Sequence, residues 1–154
     1  MVKIGFLTEG DTEKLILESK DFRKILENLD IDFVPLVVNA KGSGNLLPKN
    51  IGNYGAILTD SGADVVFAIT DLDEDTCITK TKERVGGNVV KVICVRAVEA
   101  WFLADSKTLS AFLQTPNFKF EKPEDPTDPF EQIRSIRMQL IGKGVSDKVR
   151  LAKP

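Results

Sequence analysis

The sequence predicts a three-layer α/β fold: a mainly parallel four-stranded sheet flanked by helices, with a small helical C-terminal extension. Three observations carry this. Short runs rich in Val, Ile, Leu and Phe, at Val2–Leu7, Ile31–Val38, Ala63–Thr70 and Asn88–Val95, read as buried strands. Stretches with apolar residues at helical spacing lie between them, and strands alternating with helices at this interval imply βαβ crossovers. The third run, Val65-Val66-Phe67-Ala68-Ile69-Thr70, ends abruptly in Asp71-Leu72-Asp73-Glu74-Asp75. In parallel sheets, sites lie beyond the carboxyl ends of the strands.

In chain order, the first strand leads through Thr8-Glu9-Gly10-Asp11 into a helix, with Gly10 for the bend and Asp11 as N-cap. Leu15, Phe22, Ile25, Leu26 and Leu29 recur at helical spacing, so one helix is expected to run to about Leu29. Pro35 places the second strand at a sheet edge. The loop Lys41-Gly42-Ser43-Gly44-Asn45 lacks the spacing of a phosphate-binding motif and reads as a flexible connector. A helix over Pro48–Gly62 is weakened by Gly52 and Gly55, and another over Thr76–Val85 stops at Gly86-Gly87. After the fourth strand a helix is expected from Arg96 to Asp105, with Trp101 in the core, and a further one near Lys107–Leu113. Residues 116–129 hold four of the seven prolines and read as an irregular excursion. A last amphipathic helix carries Phe130, Ile133, Ile136 and Leu140, and ends at Gly142. The expected organisation is an α/β domain over 1–105, with a helical and Pro-rich extension over 106–154 packed on it.

With 154 residues, 42% hydrophobic and 29% charged, the chain has the composition of one ordinary globular domain. Met1–Leu7 is too short for a signal peptide and no long apolar run follows, so a cytoplasmic protein with reduced Cys77 and Cys94 and no membrane partner is expected. Histidine is absent. That removes Ser-His-Asp and Cys-His nucleophile systems, His-ligated zinc and His general bases. Catalysis would rest on carboxylates, Lys, Arg, hydroxyls and a bound hard metal. The net charge of −2 divides into +5 over residues 132–154 (Arg134, Arg137, Lys143, Lys148, Arg150 and Lys153 against Asp147) and −7 before them. An acidic centre with a basic end suits a metal site plus phosphate contacts, and a solvated basic helix gives the same pattern.

On a strand, residues i and i+2 share a face, so Asp71 and Asp73 are expected to aim at one site while Leu72 turns to the core. Two carboxylates 4 Å apart repel by roughly 1 kcal/mol in water and about 4 kcal/mol at an effective dielectric near 20. A cation removes that cost, and Mg²⁺ is held by one or two carboxylates plus waters. A solvated acidic turn is the alternative. Glu9 leaves the first strand at the same edge, and Arg96 with Glu99 leave the fourth.

Glu-Gly after the first strand (Glu9-Gly10) and Asp-x-Asp after a later hydrophobic strand (Asp71, Asp73) resemble the Toprim domain of topoisomerases, bacterial primases and OLD-family nucleases. The string Val95-Arg96-Ala97-Val98-Glu99-Ala100-Trp101-Phe102-Leu103-Ala104-Asp105 and the Lys41–Asn45 loop are similar to a bacterial Toprim-related family of unknown function, akin to the nuclease half of OLD proteins. The resemblance spans residues 2 to 105. It implies a Mg²⁺ (or Mn²⁺) site acting on the phosphodiesters of DNA or RNA in a bacterial defence or mobile-element setting. Asp71 and Asp73 would be ligands, and Glu9 a ligand or general acid/base. Glu99 and Asp75 are the acids left for a second ion, and Lys80, Lys82, Arg96 or the basic tail could meet phosphates. Topoisomerases need a tyrosine nucleophile and the only tyrosine is Tyr54, in the weak second helix, so hydrolysis is the activity left. The competing readings are a non-catalytic module that binds nucleic acid, a partner protein or a second copy, and a receiver-like phosphoacceptor.

Overall fold

The structure, a computed structural model, describes residues 2–153. The chain forms two compact units, one built from the residues up to Thr70 together with Asp75–Ile93, the other from Asp71–Glu74 and the residues from Cys94 onward.

The strands are β1 (Lys3–Thr8), β2 (Asp32–Asn39), β3 (Val65–Asp71) and β4 (Val90–Cys94), joined in one parallel sheet in the order β2-β1-β3-β4. The first unit also holds helices α1 (Asp11–Glu18), α2 (Lys20–Asn28), α3 (Pro48–Asp60) and α4 (Ile78–Arg84), with a 3-10 turn at Ser43–Leu46. Phe6 of β1 stands opposite Val37 of β2 and Phe67 of β3. Strand alternation divides β1 between two apolar layers. Leu7 joins Leu58, Ala63, Val66 and Ala68 in the core under α3. Phe6 turns the other way, its ring 5.5 Å from that of Phe22 on α2 in an edge-to-face pair. Helices therefore cover both faces of this sheet, as expected. Gly5 makes the α3 side possible: a Cβ there would lie 3.0 Å from the Ala63 Cβ and 3.1 Å from the Leu58 Cβ. Pro35 does sit on an edge strand, where no second neighbour needs its missing N–H.

Four local expectations are corrected. The single first helix breaks at Ser19, which leaves the helical region (ψ 149°) and accepts the Phe22 N–H at 3.2 Å, starting α2 as its cap. Gly10, not Asp11, is the N-cap of α1, and Asp11 instead accepts from the Asn39 amide at 2.7 Å. The helix expected from Arg96 starts at Glu99, because Arg96 takes a left-handed backbone (φ 64°). Trp101 is not core: 41% of it is exposed.

The second unit holds α5 (Glu99–Ala104), α6 (Ser106–Phe112), α7 (Pro129–Ile141) and α8 (Lys148–Leu151). Leu103, Leu109, Leu113 and Ile133 form its core, with Phe102 and Phe112 packed against it. Arg137 lies over the Phe112 ring at 4.2 Å. Aspartates begin three of these helices: Asp105 accepts from the Thr108 N–H, Asp128 from Glu131 and Asp147 from Arg150. Residues 113–128 are irregular, as the prolines predicted, and Gly142 closes α7 in the left-handed region (φ 67°). Helix α8, one turn long, was not anticipated. Among the described residues no helix is long and apolar enough to cross a membrane.

Candidate functional site

Glu9 follows β1 directly and is tied to β3 twice. Its N–H donates to the Ile69 carbonyl at 3.0 Å, and the Thr70 hydroxyl donates to its carboxylate Oε2 in a short hydrogen bond. The Glu9 carbonyl in turn accepts the Gly42 N–H at 2.8 Å, and the Ala40 N–H reaches the Thr8 carbonyl at 2.8 Å. The glycine-rich segment is therefore no loose connector. Lys41 and Gly42 take positive φ (58° and 119°), which turns the chain back onto Glu9, and Leu46 behind them is fully buried.

Several polar residues close to Glu9 in the chain, or on the strand it is tied to, are buried. Thr8, Thr12, Glu13 and Thr70 are all buried. Burying polar groups is costly without partners, and the threonines at the strand ends have them: the Thr8 hydroxyl donates to the Gly10 carbonyl at 3.1 Å and the Thr70 hydroxyl to Glu9. Glu13, early in α1, is buried as well, and no local sequence signal sets it apart from an exposed helical acid. A sequence signal for Thr70 did exist: β1 and β3 both end Thr-acid, Thr8-Glu9 and Thr70-Asp71.

Asp71 ends β3, and its Oδ1 accepts the Val98 N–H at 2.9 Å, just ahead of α5. Leu72 is buried, as strand alternation required, and donates to the Cys94 carbonyl at 2.9 Å. Asp73 departs from the strand pattern. Its backbone is left-handed (φ 49°), its N–H donates to the Arg96 carbonyl at 3.0 Å, and its side chain is exposed. The i, i+2 argument thus ends one residue too soon for Asp73, because a turn rather than a strand presents it. Arg96 is half-buried and makes no ion pair among the described residues.

Glu99 is 1% exposed and accepts from Lys148 Nζ at 3.4 Å. Burial pulls the Lys148 ammonium down. Glu99, through charge and hydrogen bond, with Asp71 and Asp128 behind it, outweighs this and holds the group above the ordinary lysine value. Sequence reasoning placed Lys148 in a phosphate-binding tail. The pairing spans 49 residues and has no local signature.

Asp75 belongs to the first unit and works with α4. The Thr81 hydroxyl (2.9 Å) and the Arg84 Nη2 (2.9 Å) and Nε (3.1 Å) all donate to its Oδ2. The Thr81 and Arg84 hydrogen bonds hold its carboxyl below the usual aspartate value.

Among the described residues no three Asp, Glu, Cys or His side chains gather as a set that could hold an ion. Mg²⁺ needs only one or two carboxylates with waters completing its shell, and Asp71 and Asp73 are hard oxygen donors of the right kind. No protein-family model, no characterised protein and no solved structure matches this chain.

Proposed function

We propose that this chain is a Mg²⁺- or Mn²⁺-dependent phosphodiester-cleaving protein acting on DNA or RNA, as the resemblance to Toprim nucleases implies. One observation carries the reading. Glu9 is fastened to β3 by backbone and side chain, through Ile69 and Thr70, and the next residue of that strand is Asp71. Asp71 and Asp73 are the metal ligands in this reading. A bound Mg²⁺ would stabilise charge on a phosphoryl oxygen and lower the pKa of a coordinated water.

The protein's own groups take separate roles. Glu9, oriented by the Thr70 hydroxyl, is the ligand or general acid/base. Arg96, without a carboxylate partner among the described residues, offers its guanidinium to a phosphate oxygen. Glu99 acts one step back, holding Lys148 in place. Asp75 already shares its charge with Arg84, so it is left out of the ligand set.

Thermal melts and cleavage assays with Mg²⁺ and Mn²⁺ test this. An ion bound only by the folded chain at a hundred times its Kd stabilises by about 2.7 kcal/mol. Asp71→Asn with Asp73→Asn should lose both the stabilisation and the cleavage. Glu9→Gln should lose cleavage and keep most of the stabilisation. Glu27→Gln, on the exposed side of α2, is the neutral control; the buried Glu13 cannot serve as one. Wild type that neither binds nor cleaves with either metal overturns this reading and leaves the non-catalytic binding module.

A further inference from the structure

A cavity of about 380 Å³ opens in the second unit, and none of the residues given roles so far lines it. Its size falls in the range of ligand pockets, about 300–1,000 Å³. The floor is small and apolar (Val95, Ala100, Ala104), one wall is the exposed Trp101 indole, and the rim is the segment Lys122–Asp125. A second cavity, of about 500 Å³, shares Lys122 and Asp125 with the first and continues to Phe120, Pro126 and Gln132.

The charges of the irregular segment can be paired off. Lys119 meets Glu121 at 3.2 Å and Lys122 meets Asp125 at 3.5 Å. Asp128 caps α7. Glu124 has neither an ion-pair partner nor a capping role among the described residues, and it lines the cavity that Trp101 walls. An indole face attracts a cation through its quadrupole, and an unpaired carboxylate beside it adds charge attraction. The same unpaired carboxylate repels a phosphate backbone, so base stacking of a nucleic acid on Trp101 is the less favoured use. The adjoining cavity, with Phe120 and Pro126, has room for a neighbouring apolar side chain, and the Gln132 amide can bond a peptide group.

We propose that this groove binds an extended peptide segment of a partner protein, with an arginine or lysine side chain against Trp101 and Glu124 and an apolar side chain beside Phe120 and Pro126. The proposal does not depend on the phosphodiester chemistry.

Trp101 is the only tryptophan in the chain, so its emission reports on the cavity directly. The full chain is titrated at low salt with the capped peptide Ac-Ala-Arg-Ala-Leu-Ala-NH₂, with the same peptide carrying Gln or Glu in place of Arg, and with a twelve-residue oligothymidylate. The expected result is a saturable emission change with the Arg peptide only, weakened at least tenfold by Glu124→Gln and lost as salt is raised. Calorimetry on Trp101→Leu should show at least a tenfold loss as well. Both substitutions lie on the exposed surface and leave the core intact. An Arg peptide that produces no saturable change, a response equal to that of the Gln peptide or unchanged in Glu124→Gln, or saturation by the oligothymidylate instead, each overturns the proposal.

Discussion

Replacing Lys148 by Met should destabilise the protein well beyond what a residue with half its side chain in solvent suggests. The reason lies in its partner. Glu99 is 1% exposed, and Lys148 Nζ, 3.4 Å away, is the cation paired with it. Removing one member of a fully buried ion pair costs about 3–5 kcal/mol, because the remaining charge is left without compensation. Here 51% of the Lys148 side chain is exposed, so water screens part of the interaction and an estimate of about 2 kcal/mol is appropriate. For a domain of this length each kcal/mol moves the Tm by about 2–4 °C, giving a drop of about 4–8 °C at neutral pH. Adding Glu99→Gln removes the stranded charge, so the double variant should melt above Lys148→Met. The pH dependence has a definite sign. The folded-state value of Lys148 is raised above its ordinary 10.5, so the pair's contribution is complete below that pH and disappears as pH rises through the folded value. The gap between wild type and Lys148→Met should therefore stay constant from neutral pH to about pH 9–10 and narrow above it. Scanning calorimetry across that range decides the matter. A Tm drop under 1 °C, or a double variant melting below the single one, would refute the reasoning.

Other expectations follow from single contacts. Gly86→Ala puts a Cβ 2.3 Å from the Pro48 Cα, a backbone atom that cannot swing aside, so a loss of about 1–3 kcal/mol in denaturant titration is expected. Asp75→Asn removes a carboxylate whose folded-state value is depressed; its contribution is present above the ordinary value of 3.8 and fades as pH falls through the lower one. Acid unfolding of wild type should therefore steepen in that window, and Asp75→Asn, weaker at neutral pH, should converge on wild type there. In the basic C-terminal stretch, Lys143→Gln with Arg150→Gln should flatten the salt dependence of duplex binding, each lost phosphate contact changing the slope by about 0.9. Lys148 is left out of that test because it serves Glu99.

The order of elements and the edge position of β2 were legible in the sequence because they are local. Alternating apolar runs, helical spacing and a proline act within a few residues of themselves. The acidic ends of β1 and β3 were legible for the same reason, as were the irregular segment after α6 and the glycine that closes α7. What failed did so wherever backbone conformation or partner choice rested on distant residues. Hydrophobic periodicity carried the first helix through Ser19, yet the serine hydroxyl found a backbone N–H to cap and the chain turned. Asp73 and Arg96 took left-handed backbones, fixed by a hydrogen bond between them across 23 residues of sequence. Trp101 looked like core because large aromatics usually are, and only the packing of α5 left it facing a cavity. Glu99 was visible as an acid but not as a buried one. Its pairing with Lys148 joins α5 to α8 across 49 residues, and a long-range charge pair leaves no periodic trace in either segment. Sequence alone determined which residues end the strands; tertiary structure decided which carboxylates are held by hydroxyls and N–H groups, which are neutralised by Lys or Arg, and which are left to meet a ligand.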